Sequence, residues 1–162
     1  METKEDINIK SGKVQKTSLE AMIYACLDEA NITYKKNKKN KSITLSMECS
    51  NVNVDLFILY DEKYHIIEIT GLLPITIAEE KRKDVIEYLN ESNRQIAIPC
   101  TFINIDNGKV ATTFVIDGRE GMINDSIIMR TLSFCSGILN EDFPNIMRIT
   151  YGRKRRARSK TE

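Results

Sequence analysis

The sequence predicts an α+β domain in the order α-β-β-β-α-β-β-α, a five-stranded antiparallel sheet with helices packed mainly on one face. Three observations carry this reading. Three segments repeat apolar residues at spacings of three and four, which one helical face requires. Further segments alternate apolar and polar residues at a period of two, and short turn signals separate them. The chain has 162 residues, of which 41% are apolar and 29% charged, the balance of a globular protein able to bury a core without a metal or disulfide. With 7% aromatic residues and no Trp, that core must rest on Ile, Leu, Val and Met.

Residues 1–16 are polar and Lys-rich, and a mobile start is expected there. A single domain is expected over 17–150. Thr17 is placed to cap a first helix, with Glu20 completing a capping box and Leu19, Met22, Ile23, Cys26, Leu27 and Ala30 on the inner face. Asn31 suits its end. Ile32 and Tyr34 are placed to begin a strand ahead of a lysine-rich stretch. Ile43, Leu45 and Met47, then Val52, Val54, Leu56 and Ile58, then His65, Ile67 and Ile69, form a three-strand meander. Cys49-Ser50-Asn51 and Asp61-Glu62-Lys63 are its connections, and Gly71-Leu72-Leu73-Pro74 breaks it. A second helix is expected from Thr76 to about Gln95, with Thr76 and Glu79 as another capping box. Strands from Ile98 to Ile105 and from Val110 to Ile116 follow, joined by a tight hairpin at Asn107-Gly108. After a turn bracketed by Gly118 and Gly121, a third helix begins near Asp125 with Ile128, Leu132, Cys135 and Leu139 inward, and Pro144 is expected to stop it.

Little here suits catalysis. The chain has one histidine, and His65 is expected to point with Ile67 and Ile69 into the packing of a strand. No nucleophile stands in a GxSxG elbow, and neither GxGxxG nor GxxxxGK[ST] occurs. The carboxylate pairs Glu79-Glu80 and Glu141-Asp142 read as helix-end residues, the former complementing the helix dipole. Cys26, Cys49, Cys100 and Cys135 lie far apart among apolar neighbours and read as structural thiols. No catalytic, cofactor or metal residues are expected. Met1 is followed by charged residues rather than the apolar core of a secretory signal, and no apolar run approaches the ~20 residues of a membrane span. A cytoplasmic location and no membrane insertion are the expectations.

The middle helix closes in Leu89-Asn90-Glu91-Ser92-Asn93-Arg94, and a strand bearing Phe102 comes straight after it. With the element order, this pattern resembles the YbjN-type family of bacterial proteins, labelled sensory-transduction regulators, whose fold is similar to that of type III secretion chaperones. The resemblance covers roughly residues 17–143. It implies a non-enzymatic, protein-binding, chaperone-like or regulatory role, often as a dimer, and brings no catalytic residues with it. Asn90 and Asn93 read by themselves either as amides fixing the helix-to-strand passage or as a ligand contact.

Charge is distributed unevenly. The net charge is +1, but residues 153–162 hold six Lys or Arg and one Glu, so the rest of the chain carries −4. A basic, disordered tail over 151–162 is expected. Two clusters are candidates for an anionic partner: Lys35, Lys36, Lys38, Lys39 and Lys41, and Arg153, Lys154, Arg155, Arg156, Arg158 and Lys160. The leading expectation is a module that binds another protein through exposed strand edges and apolar helix surface, with a homodimer foreseen. The alternative is a nucleic-acid-associated protein holding phosphate through both clusters.

Overall fold

The computed structural model of the chain describes residues 18–96, 101–118 and 123–152. The expected mobile start, Thr17, Cys100, the Arg119 to Gly121 part of the turn and the basic residues from Arg153 onward lie outside the described residues. The elements are α1 (Leu19–Glu29), β1 (Tyr34–Asn37), β2 (Ser42–Glu48), β3 (Asn53–Asp61), β4 (Ile66–Thr76), α2 (Glu79–Arg94), β5 (Thr101–Ile103), β6 (Lys109–Asp117) and α3 (Asp125–Tyr151). The strands form one antiparallel sheet in the order β1-β2-β3-β4-β6-β5. The α+β class and the one-sided helix layer are as the sequence predicts, but there are six strands rather than five. The sixth is β1, which begins at Tyr34 as expected but runs on into the lysine-rich stretch, where Tyr34 and Lys36 pair with Leu45 and Ile43, so that stretch is half strand and half turn.

Ser18, not Thr17, caps α1, its Oγ accepting from the Ala21 N–H at 3.1 Å. At the other end Asn31 takes a left-handed φ of 54°, the Ile32 N–H returns to the Leu27 carbonyl and the Asn31 N–H to that of Asp28. This paired return closes the helix as a Schellman motif. Thr76 makes no capping box. It ends β4, opposite Lys109, and α2 starts at Glu79 behind an Ala78 cap that has no side-chain bond. Arg82 supplies the tie instead, its guanidinium donating to the carbonyls of Ile77 and Ile105.

Strand β4 runs through Gly71 and Pro74 rather than breaking there. Its register with β6 shifts between Leu72 and Thr76, and this irregularity accommodates a proline that cannot donate to the ladder. Strand β5 is only three residues long, and the β5–β6 connection is longer than a two-residue turn. Of the Asn107-Gly108 pair, Gly108 alone has positive φ, at 68°, and the Asn104 side chain accepts from the Asp106 and Asn107 N–H groups. His65 also departs from expectation. It lies in the turn before β4 at φ 55°, half-buried, while its carbonyl accepts from the Gly118 N–H at 2.7 Å.

The core is Ile43, Leu56, Ile58, Ile67, Ile69 and Leu73 from the sheet, against Ile23, Leu27, Val85, Leu89, Ile128, Leu132 and Leu139 from the helices. Helix α3 lies over β3, β4 and β6 with α1 and α2 beside it. Pro144 does not end α3; the helix carries it internally. Proline leaves the carbonyl four residues back, that of Asn140, without its helical donor. The Asn51 side-chain amide donates to that carbonyl at 3.0 Å, and the Asn51 N–H donates to Asn140 Oδ1 at 2.8 Å. The β2–β3 turn thus clasps the helix where the proline opens it. Asp142, expected at a helix end, is instead 4% exposed in mid-helix, its Oδ1 accepting from Tyr88 and Ser92 hydroxyls of α2 at 2.8 Å each.

Asn51→Ala should therefore destabilise the domain by about 1–2 kcal/mol in urea unfolding. Combined with Pro144→Ala, which restores the helical donor, the same change should cost measurably less; strictly additive effects would contradict the clasp.

Candidate binding face

Cross-strand register shows which side chains share the face that no described helix covers. Going from β3 to β5, Asp55, Leu72, Ala111 and Phe102 form one row. Phe57, Thr70 and Thr113 form the next, and Leu59, Glu68 and Val115 the one beyond. A solvated sheet face alternates into polar residues, whereas here Leu59 is 41% exposed, Phe102 47% and Val115 60%. Phe57 and Leu72 are half-buried beside them. Leu59, Phe57, Leu72, Ala111 and Phe102 connect as a diagonal apolar stripe. A groove of about 490 Å³ opens at its β1–β3 end, lined by Tyr34, Lys35, Thr44, Ser46, Asp55 and Phe57. Contiguous apolar surface of this kind marks interaction sites.

The strand edges, foreseen as binding equipment, are poorly suited to it. The outer strand β1 is four residues long and carries Lys35 and Lys36; the outer strand β5 has three residues. Short, lysine-bearing edges are the features that discourage pairing with another chain. The apolar helix surface fares better. Phe114, Ile127, Arg130, Thr131 and Phe134 line a groove of about 330 Å³, with the two phenylalanine rings edge to face at 5.1 Å.

Phe57, Leu59, Leu72 and Val115 were not singled out by sequence reasoning, although a signal for them exists. Leu56-Phe57-Ile58-Leu59, Leu72-Leu73 and Phe114-Val115-Ile116 are consecutive apolar runs, which in an antiparallel strand place apolar groups on both faces.

The basic cluster divides. Lys35 points to the uncovered face, level with Thr44 and Phe57, whereas Lys36 points to the opposite side. There the Lys36 ammonium lies 3.5 Å from the Tyr24 ring centroid, and Tyr24 stacks on Tyr34 at 5.8 Å. That cation–π contact gives Lys36 a partner within the domain. Lys38, Lys39 and Lys41 stand exposed around the β1–β2 turn. The second cluster, Arg153, Lys154, Arg155, Arg156, Arg158 and Lys160, lies outside the described residues.

Beneath Lys36, the Tyr24 hydroxyl donates to Glu20 at 2.8 Å. This bond, together with a second from Tyr60, holds the Glu20 carboxyl below the usual carboxylate range. Burial, reinforced by its bond to Asp28, pushes the Tyr34 phenol up to about 12. Burial and the charges of Asp125 and Glu29 push the Cys26 thiol up to about 11, so it remains a protonated, unreactive packing group near neutrality. Cys26 and Cys135 are buried and Cys49 is half-buried. Asn93 settles one open alternative: its amide donates to the Thr101 carbonyl at 2.8 Å and accepts from the Thr101 N–H, fixing the passage from α2 to β5. Asn90 is exposed. Among the described residues, no group of three or more His, Cys, Asp or Glu is arranged to hold a metal ion, and no helix is long and apolar enough to cross a membrane.

Comparison with solved structures decides the fold. The crystal structure of YbjN from E. coli, described as a candidate transcription regulator, matches 80% of this chain and 93% of its own with a TM-score of 0.59. The fold is that of YbjN. Identity to YbjN is 11%, so the likeness is one of architecture. No protein-family model and no curated protein matches this chain. The YbjN-like fold agrees with the resemblance drawn from the helix-to-strand pattern at 89–102.

A pH dependence follows from Glu20. Because its folded value lies below the unfolded one, its contribution to stability is present above the ordinary glutamate range and is lost as pH falls through the depressed value. A carboxyl-carbon NMR titration should place its midpoint below that of an ordinary Glu, and Tyr24→Phe should move it upward. An unmoved midpoint would remove the hydrogen bond as the cause.

Proposed function

We propose that the chain is a non-enzymatic protein-binding module with a chaperone-like or regulatory role, and that its partner docks on the uncovered face of the sheet. The observation that carries this is the stripe Leu59, Phe57, Leu72, Ala111 and Phe102, continuous in register across four strands. The likeness to YbjN, described as a candidate transcription regulator, supports a regulatory setting. Widely spaced cysteines with no close pair fit a reducing, cytoplasmic compartment. Residues 17–150 form the binding domain on this reading, and a homodimer remains one arrangement that such a face supports.

The experiment is affinity purification of the native protein alongside Phe57→Asp, with sedimentation velocity on both. Phe57 is half-buried rather than part of the core, so the substitution leaves the fold intact by thermal unfolding while reducing a copurifying protein, or a dimer, at least tenfold. Equal recovery from both chains, with both monomeric, would sink the proposal.

A second reading rests on the β1–β2 turn, where Lys38, Lys39 and Lys41 crowd three ammonium groups with Lys35 nearby on the strand. Like charges held this close suit phosphate, and the Arg153 to Lys160 stretch extends the same chemistry. Binding to nucleic acid should weaken with salt, and the triple change of Lys38, Lys39 and Lys41 to Ala should lower the salt slope by about 2–3. An unchanged slope, both in that variant and in a chain ending at Gly152, dismisses this reading.

A further inference from the structure

We infer that the occupant of the uncovered stripe is a single amphipathic helix of a partner protein, with basic residues flanking its apolar ridge. This deepens the proposed function and rests on the uncovered face being the binding surface.

The form of the occupant follows from backbone bookkeeping. A sheet face presents side chains, not N–H and C=O groups, so a segment buried there must satisfy its own backbone. The short, lysine-bearing edge β1 and the three-residue β5 discourage strand addition at the sheet's two sides. A helix meets the requirement alone, as α3 does on the opposite face. The stripe from Leu59 to Phe102 crosses three interstrand steps and two rows, about 20 Å from end to end. That length corresponds to a helix of about 13 residues.

The charge of the occupant follows from what borders the stripe. Asp55 lies directly across from Leu72 on one flank, and Glu68 directly across from Leu59 on the other. Asp55 is exposed, and among the described residues neither carboxylate takes part in an ion pair. Glu68 accepts from the Thr70 hydroxyl at 3.3 Å. The two carboxylates stand about 14 Å apart across the stripe, which brackets the 10–12 Å width of a helix with its side chains. Lysine or arginine on either shoulder of such a helix reaches one of them. Lys35, on the same face, stands two strands away from Phe57 and outside this bracket.

The test is selection from a random peptide library displayed on phage, with the full chain as bait and Phe57→Asp as counter-bait. The expected result is enrichment of peptides with apolar residues at helical spacing and Lys or Arg beside them. Synthesised singly, these should lose about tenfold in affinity to a bait carrying Asp55→Lys and Glu68→Lys. Asp55 is exposed and Glu68 half-buried, both outside the core, so the two lysine changes keep the test open if Phe57→Asp fails to fold. Stripe-dependent peptides that are acidic, or that bind the lysine bait equally, overturn the charge assignment and leave the binding face standing. No stripe-dependent enrichment overturns the helix assignment; a wild-type dimer that the Phe57 change dissociates then gives the stripe to a second copy, and monomers throughout overturn the binding face as well.

Discussion

The architecture depends on how closely α3 can lie on the middle of the sheet. Gly71, near the centre of β4, makes that approach possible: a Cβ built there would stand 2.9 Å from Leu139 Cδ1 and 3.2 Å from Leu56 Cδ2. Leu139 occupies the space that a side chain on β4 would need. Around this point Ile69, Leu132 and Cys135 are fully buried, and the Cys135 thiol faces the Ile69 carbonyl at 3.8 Å. Close packing of this sort tolerates little change in volume. The seating of one helix therefore sets the positions of α1 and α2 on either side of it.

Once α3 is seated, its far half needs other support, because it continues past the β2–β3 turn. Two polar devices provide it. Asn51 replaces the donor that Pro144 lacks, and Asp142 gathers the hydroxyls of Tyr88 and Ser92 from α2. Asn145 adds a bond to the Tyr88 hydroxyl at 3.1 Å. A carboxyl group buried this deeply is costly unless hydrogen-bonded; these hydroxyls join α2 to α3 and satisfy its Oδ1, while Oδ2 is buried without a hydrogen-bond partner among the described residues. The same α2 is held at its start by Arg82, through the Ile105 carbonyl, and at its end by Asn93, through that of Thr101, so both reach backbone of the β5–β6 unit.

With the helices committed to one face, the second face is left to solvent or to a partner. Its apolar stripe lies outside the main core cluster, although Ala111 within it is buried. Its neighbours are carboxylates and threonines, and Thr70 and Thr113 bond to each other across β4 and β6 at 2.9 Å. The lysines collect at the β1 edge and its turn instead. One sheet thus keeps a closed, mainly apolar side, with Thr101 and Thr112 buried in it, and a mixed, accessible side, with edges too short and charged to invite pairing.

The order of helices and strands, their inward residues and the lack of catalytic motifs were legible in the sequence, because period and turn chemistry are local properties. The Leu89 to Arg94 pattern likewise pointed to the architecture that comparison with YbjN supports. Local reasoning failed where a distant group completes a structure. Pro144 looks like a helix end until Asn51, 93 positions earlier, supplies the missing donor. Thr76 looks like a cap until β6 pairs with it. Lys36 looks solvated until Tyr24 comes beneath it. The stripe is the strongest case: its residues are individually ordinary, and only the register of four strands brings them side by side. Sequence alone determined which residues face inward, whereas tertiary structure decided what the remaining face offers, because adjacency across strands is set by pairing rather than by position in the chain.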